Sequence, residues 1–234
     1  MVAAVAAALA ACGPPSSDPT GTAAAGVPGL ESPAGRPDEA GDPRLRMVIL
    51  GDSLTAGLGL APEEAYPARL QARIDAAGWP VRVAAMGVSG DTTAGGRRRL
   101  DWSLHGDVRI LLVALGGNDA LRGLPVEQMR ENLAAIIDHA LDRDIRVVLA
   151  GMEAPPNFGA AYTSEFREAY RKLADSRDVT FVPFLLEGVA GVPALNQADA
   201  IHPNAAGAVK IADHLWPSLA PLLAAVAGEQ DAEP

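Results

Sequence analysis

From residue 45 onward the chain alternates between two hydrophobic patterns. Short apolar runs without polar alternation occupy residues 47–50, 81–85, 108–115, 146–150 and 179–182. Such runs predict strands buried on both faces. Between them, apolar residues recur at helical spacing over 64–77, 93–102, 126–143 and 164–175. A last helix is expected over 205–227, bent near Pro217 because proline removes a helix hydrogen bond. Strands alternate with helices and no internal repeat appears. This order predicts a three-layer α/β/α fold around a parallel sheet.

In a parallel sheet all carboxyl ends point one way, and ligands bind in the crevice beyond them. The polar residues of interest follow those ends. Ser53 follows the first run, in Gly51-Asp52-Ser53-Leu54. Gly90 follows the second, in Ser89-Gly90-Asp91-Thr92, and Gly116-Gly117-Asn118-Asp119 follows the third. Asp199 and His202 lie beyond the fifth, in Asp199-Ala200-Ile201-His202-Pro203-Asn204.

Serine is a weak nucleophile until a base takes its proton. His202 is the candidate base, and Asp199, three residues earlier, can orient its imidazole within one turn. Alone, this would be an ordinary Asp-x-x-His loop. Acyl transfer also needs donors for the oxyanion. The backbone N–H groups of Ser53 and Gly90 and the side-chain amide of Asn118 are candidates. Gly90 reads equally as a turn glycine, and Asn118 as a helix cap or left-handed turn residue.

Taken together, the four segments resemble the SGNH hydrolase superfamily, the GDSL esterases and lipases, over residues 47–223. Residues 115–123, Leu-Gly-Gly-Asn-Asp-Ala-Leu-Arg-Gly, are similar to the bacterial arylesterase, acyl-thioesterase and lysophospholipase group, as is Pro156-Asn157-Phe158-Gly159. The resemblance implies a flavodoxin-like fold with a five-stranded parallel sheet. It implies Ser53 as nucleophile, His202 as general base and then acid, and Asp199 as the orienting acid. The implied oxyanion donors are Ser53 N–H, Gly90 N–H and Asn118. Many relatives carry an asparagine five residues before the block-two glycine; this chain has Ala85, which puts the support of the Gly90 loop in question. A small-molecule ester is the implied substrate, acted on by a monomer without metal or organic cofactor. Leu121, Leu124, Pro155, Pro156 and Phe158 are expected beside the crevice as apolar surface. A carbohydrate O-acetyl esterase and an inactive lipid-tethered binding module remain as alternatives.

Charge narrows the partners. Net charge is −10 over 234 residues, whereas nucleic-acid binders present a basic face. The one dense basic run, Arg97-Arg98-Arg99, reads as a solvated helix face. Glycine-rich phosphate motifs are absent, and none of the four histidines sits in a zinc pattern.

Residues 1–11 are entirely apolar or small, too short to span a bilayer in a helix. Leu9-Ala10-Ala11-Cys12 resembles a bacterial lipobox, which makes Cys12 the lipid-bearing residue. No Lys or Arg precedes the run, although secretory signals open with positive charge. Residues 13–44 are rich in Pro, Gly, Ala and Ser and read as a flexible tether. A hydrolase domain over 45–227 and a disordered tail over 228–234 complete the layout. The expected location is the cell envelope or periplasm; if the first segment is no signal, it is the cytoplasm.

Overall fold

A computed structural model describes residues 42–230. Cys12, the signal segment and residues 13–41 of the expected tether lie outside the described residues. The strands are β1 (Leu45–Gly51), β2 (Val81–Gly87), β3 (Val108–Ala114), β4 (Arg146–Ala150) and β5 (Val179–Val182). The helices are α1 (Ser53–Ala56), α2 (Tyr66–Ala76), α3 (Thr93–Arg98), α4 (Leu100–Ser103), α5 (Gly117–Leu121), α6 (Val126–Leu141), α7 (Ala160–Asp175) and α8 (Ala205–Gln230).

All pairings are parallel, in the order β2-β1-β3-β4-β5. This is the flavodoxin-like order, with its switch point between β1 and β3. Every residue of β1 is buried, as a central strand covered on both faces requires. Helices α2 and α8 pack together, while α3, α6 and α7 form a second group. Ile49, Leu50, Leu111 and Leu112 are fully buried at the centre of the core. Strand β2 lies at an edge, and Gln71 of α2 occupies its free backbone groups: Nε2 donates to Val81 O at 3.1 Å, and Oε1 accepts from Val83 N at 2.6 Å. That engagement blunts an edge otherwise open to pairing.

Several elements differ from expectation. The helix expected over 93–102 is two helices, α3 and α4, broken at Arg99 (φ −102°, ψ 8°). The helix expected from 164 begins at Ala160, after Gly159. Helix α8 runs unbroken through Pro217 and Pro221 to Gln230, beyond the residue 228 at which a tail was expected. Both prolines lie on its exposed side, so the carbonyls they orphan can face water. The last tether residues are pinned to the domain. Asp42 pairs with Arg44 at 2.6 Å and lies 3.7 Å from Arg82, and Gln230 Nε2 donates to Pro43 O at 3.2 Å. Among the described residues no helix is long and apolar enough to cross a membrane.

Candidate active site

Ser53 opens α1 directly beyond β1 and is 9% exposed. The turn is tight. A Cβ at Gly51 would stand 1.9 Å from Thr55 Oγ1 and 3.2 Å from Ala114 O, so only glycine lets α1 fold back onto the strand end. Asp52 caps the helix, its Oδ1 accepting from Leu54 N at 3.0 Å.

His202 is brought to Ser53 by a turn wound around Asp199. Asp199 Oδ1 accepts from Ile201 N at 2.9 Å and His202 N at 3.0 Å. Its Oδ2 lies 2.7 Å from His202 Nδ1, and His202 Nε2 lies 2.9 Å from Ser53 Oγ. Backbone N–H donation from His202, then the imidazole itself, holds the Asp199 carboxyl down to about 2. An ionised carboxylate only accepts, so Nδ1 carries the proton and Nε2 is left to accept from the serine hydroxyl. Ala200 takes a left-handed φ of 59° to close this turn, a conformation costly to a residue with a Cβ. Asn204 caps α8, its Oδ1 accepting from Ala206 N and Gly207 N, both at 3.0 Å.

The expected oxyanion donors approach the same edge. Gly90 has φ 79°, and its carbonyl accepts from Arg122 Nη2 at 2.6 Å. The N–H groups of Ser53 and Gly90 donate to no protein group among the described residues. Asn118 is already engaged: Nδ2 donates to Asp91 O at 2.9 Å and to Asp52 Oδ2 at 3.2 Å. An oxyanion must share the amide with these oxygens or displace one of them.

Three supporting residues escaped the sequence reading. Asp52 is 3% exposed, and burial pushes its carboxyl up to about 6, against the Leu54 N–H and His202. Asp119, also buried, accepts from Thr93 N at 2.9 Å and Thr93 Oγ1 at 2.6 Å, tying α5 to α3. Arg97 and Arg98 are exposed, as a solvated face requires, but Arg99 turns inward. Its Nε donates to Asp91 Oδ2 at 2.7 Å. The first two carried a signal only in their place beside Ser53 and Asn118.

Leu121, at the end of α5, is 49% exposed and Phe158, after β4, is 39% exposed; Phe158 lies 5.4 Å from the Tyr162 ring, and Tyr162 Oη donates to Leu124 O at 2.8 Å. Pro156 is exposed, and Leu124 and Pro155 are half-buried. The recess between Ser53 and His202, lined also by Leu54, Leu58, Leu60 and Ile211, measures about 10 Å³, room for about one water. An acyl chain must lie outside it. Among the described residues no three His, Cys, Asp or Glu side chains converge as a metal site.

The model of the GDSL-like lipase/acylhydrolase family matches residues 49–210. Esterase TesA of Pseudomonas aeruginosa is 40% identical over 178 residues, 76% of this chain and 89% of that protein. Thioesterase 1/protease 1/lysophospholipase L1 of Escherichia coli K12 is 36% identical over 180 residues, 76% of this chain and 84% of that protein. A crystal structure of TesA matches with a TM-score of 0.73 and 39% identity, over 76% of this chain and 99% of that one.

Asp52 yields a stability prediction. Its carboxyl titrates near 6 when folded, against an ordinary 3.8. Between those values the folded chain binds more protons than the unfolded one, so stability falls as pH rises. The fall is on the order of 3 kcal/mol. Asp52→Asn is expected to flatten it, read as urea midpoints at about pH 4 and about pH 7. Equal pH dependence in the two proteins contradicts the assignment.

Proposed function

This chain belongs to the GDSL-like lipase/acylhydrolase family, and from that premise we propose that Ser53, His202 and Asp199 carry out carboxylic-ester hydrolysis through an acyl-serine. The observation that carries this reading is the chain of contacts from Ser53 Oγ to His202 Nε2 at 2.9 Å and from Nδ1 to Asp199 at 2.7 Å. Ser53 Oγ attacks the ester carbonyl while Nε2 takes its proton. Charge on the former carbonyl oxygen meets Ser53 N–H, Gly90 N–H and the Asn118 amide. His202 then protonates the departing alcohol, and water repeats the sequence on the acyl-serine.

Aryl esters and short-to-medium acyl esters fit the open, apolar margin formed by Leu121 and Phe158; thioesters and lysophospholipids extend the same chemistry. p-Nitrophenyl esters of increasing chain length, lysophosphatidylcholine and acetylated xylan test the reading in one panel. Hydrolysis of the p-nitrophenyl esters is expected, and Ser53→Ala abolishes it. Asn118→Ala lowers kcat by about a hundredfold or more. Preference for acetylated xylan favours a carbohydrate esterase, and no hydrolysis at all favours a binding module. Near-normal turnover by Ser53→Ala refutes the mechanism.

We further propose that Cys12 is the lipid-anchored first residue of an envelope protein. The Leu9-Ala10-Ala11-Cys12 sequence and the Pro/Gly/Ala-rich segment after it support this. Such a location makes acyl-CoA an unsuitable natural substrate. Cys12→Ser is expected to move the protein from the membrane to the soluble fraction of its native host; unchanged fractionation contradicts the anchor.

A further inference from the structure

We propose that Arg99 is a positioning residue for the oxyanion site, one guanidinium that ties together the three loops carrying Ser53, Gly90 and Asn118. The proposal rests on the ester-hydrolase reading above.

All three guanidinium nitrogens are used. Nε donates to Asp91 Oδ2 at 2.7 Å, Nη1 to Met86 O at 2.9 Å and Nη2 to Gly51 O at 2.8 Å. The acceptors stand close to the candidate donors. Gly51 is two residues before Ser53. Asp91 directly follows Gly90. The Asp91 carbonyl, in turn, accepts from Asn118 Nδ2 at 2.9 Å. Met86 lies at the end of β2, just before the Gly90 turn. Arg99 therefore reaches two oxyanion loops directly and the third through Asp91.

The chemistry of the pair suits this task. A guanidinium presents its donors in a rigid plane, so three bonds fix its acceptors relative to one another; an ammonium cannot hold the same fork. The Arg99 and Asp91 side chains are only 17% and 12% exposed, which limits screening by solvent. The charge also matters. The Asp52 carboxylate and the Asp91 backbone carbonyl both accept from the Asn118 amide, where negative charge must develop during acyl transfer. Arg99 neutralises the Asp91 side chain, one residue beyond Gly90. Strand pairing already holds Gly51 beside Gly87. It does not reach the Gly90 turn beyond β2, and that is where Arg99 adds its bond to Asp91.

The test compares Arg99→Ala, Arg99→Lys and Asp91→Asn with the unaltered chain on p-nitrophenyl butyrate. Hydrolysis by the unaltered chain establishes the ester-hydrolase reading independently, and its absence sinks that reading first. For Arg99→Ala, kcat is expected to fall by about 10²-fold, the scale of a misplaced oxyanion donor, with KM within about threefold. Millimolar guanidinium chloride is expected to restore part of kcat in Arg99→Ala, with sodium chloride at equal ionic strength restoring none. Arg99→Lys should keep the charge and the fold yet remain at least about tenfold slow, because the fork is lost. Asp91→Asn should be slow alone and add little to Arg99→Ala, as expected of one coupled unit. An unchanged kcat in Arg99→Ala overturns the proposal. So does a rise in KM at constant kcat, a loss of kcat that guanidinium leaves unrestored, or full activity in Arg99→Lys.

Discussion

Gly51 pairs with Gly87 on one side and with Ala114 on the other, and these pairings bring the ends of three parallel strands side by side. The loops leaving them start from one edge of the sheet, at the point where the strand order reverses. Ser53, Gly90 and Asn118 are far apart in sequence, yet each needs only a few residues to enter the same space. His202 arrives from beyond β5 on a turn of its own. Burial of β1 on both faces makes the frame stiff, since a shift in its register would disturb every residue packed around it.

Four carboxylates surround this edge, and each is handled differently. Asp199 is exposed, and two backbone N–H groups and an imidazole keep it ionised. Asp52 is buried with few donors, and its carboxyl is pushed up. Asp91 is paired with Arg99, and Asp119 is satisfied by Thr93. The contrast between Asp199 and Asp52 follows their places: one is held by backbone N–H groups and the His202 imidazole, the other is buried behind the Asn118 amide. Burying Asp52 costs stability at neutral pH, a common cost near sites shaped for chemistry.

Much of this was legible from local pattern. Apolar runs marked all five strands, and turn residues at their ends marked the loops, because both depend on near neighbours in sequence. The spacing of Asp199 and His202 anticipated their contact, since one turn suffices to make it. Arg99 was misread with Arg97 and Arg98 because consecutive helical positions differ by about 100° in direction, and the break between α3 and α4 redirects the third. A single last helix was expected, but its extension to Gln230 was not. Leu215, Leu219 and Leu223 pack into the core on one side while Pro217 and Pro221 stay on the other, and tertiary packing overrides the local preference. The double engagement of Asn118 needs three loops to meet and has no local signature.

Every other proposed role in catalysis depends on Ser53 as the acyl acceptor. The most direct measurement is reaction of the full chain with a fluorophosphonate ester, followed by peptide mass spectrometry alongside residual ester hydrolysis. One phosphonyl group per chain is expected, carried by the peptide containing Ser53, with hydrolysis lost in proportion to labelling. A label elsewhere that accounts for the lost activity, or full hydrolysis by chains labelled at Ser53, contradicts that role.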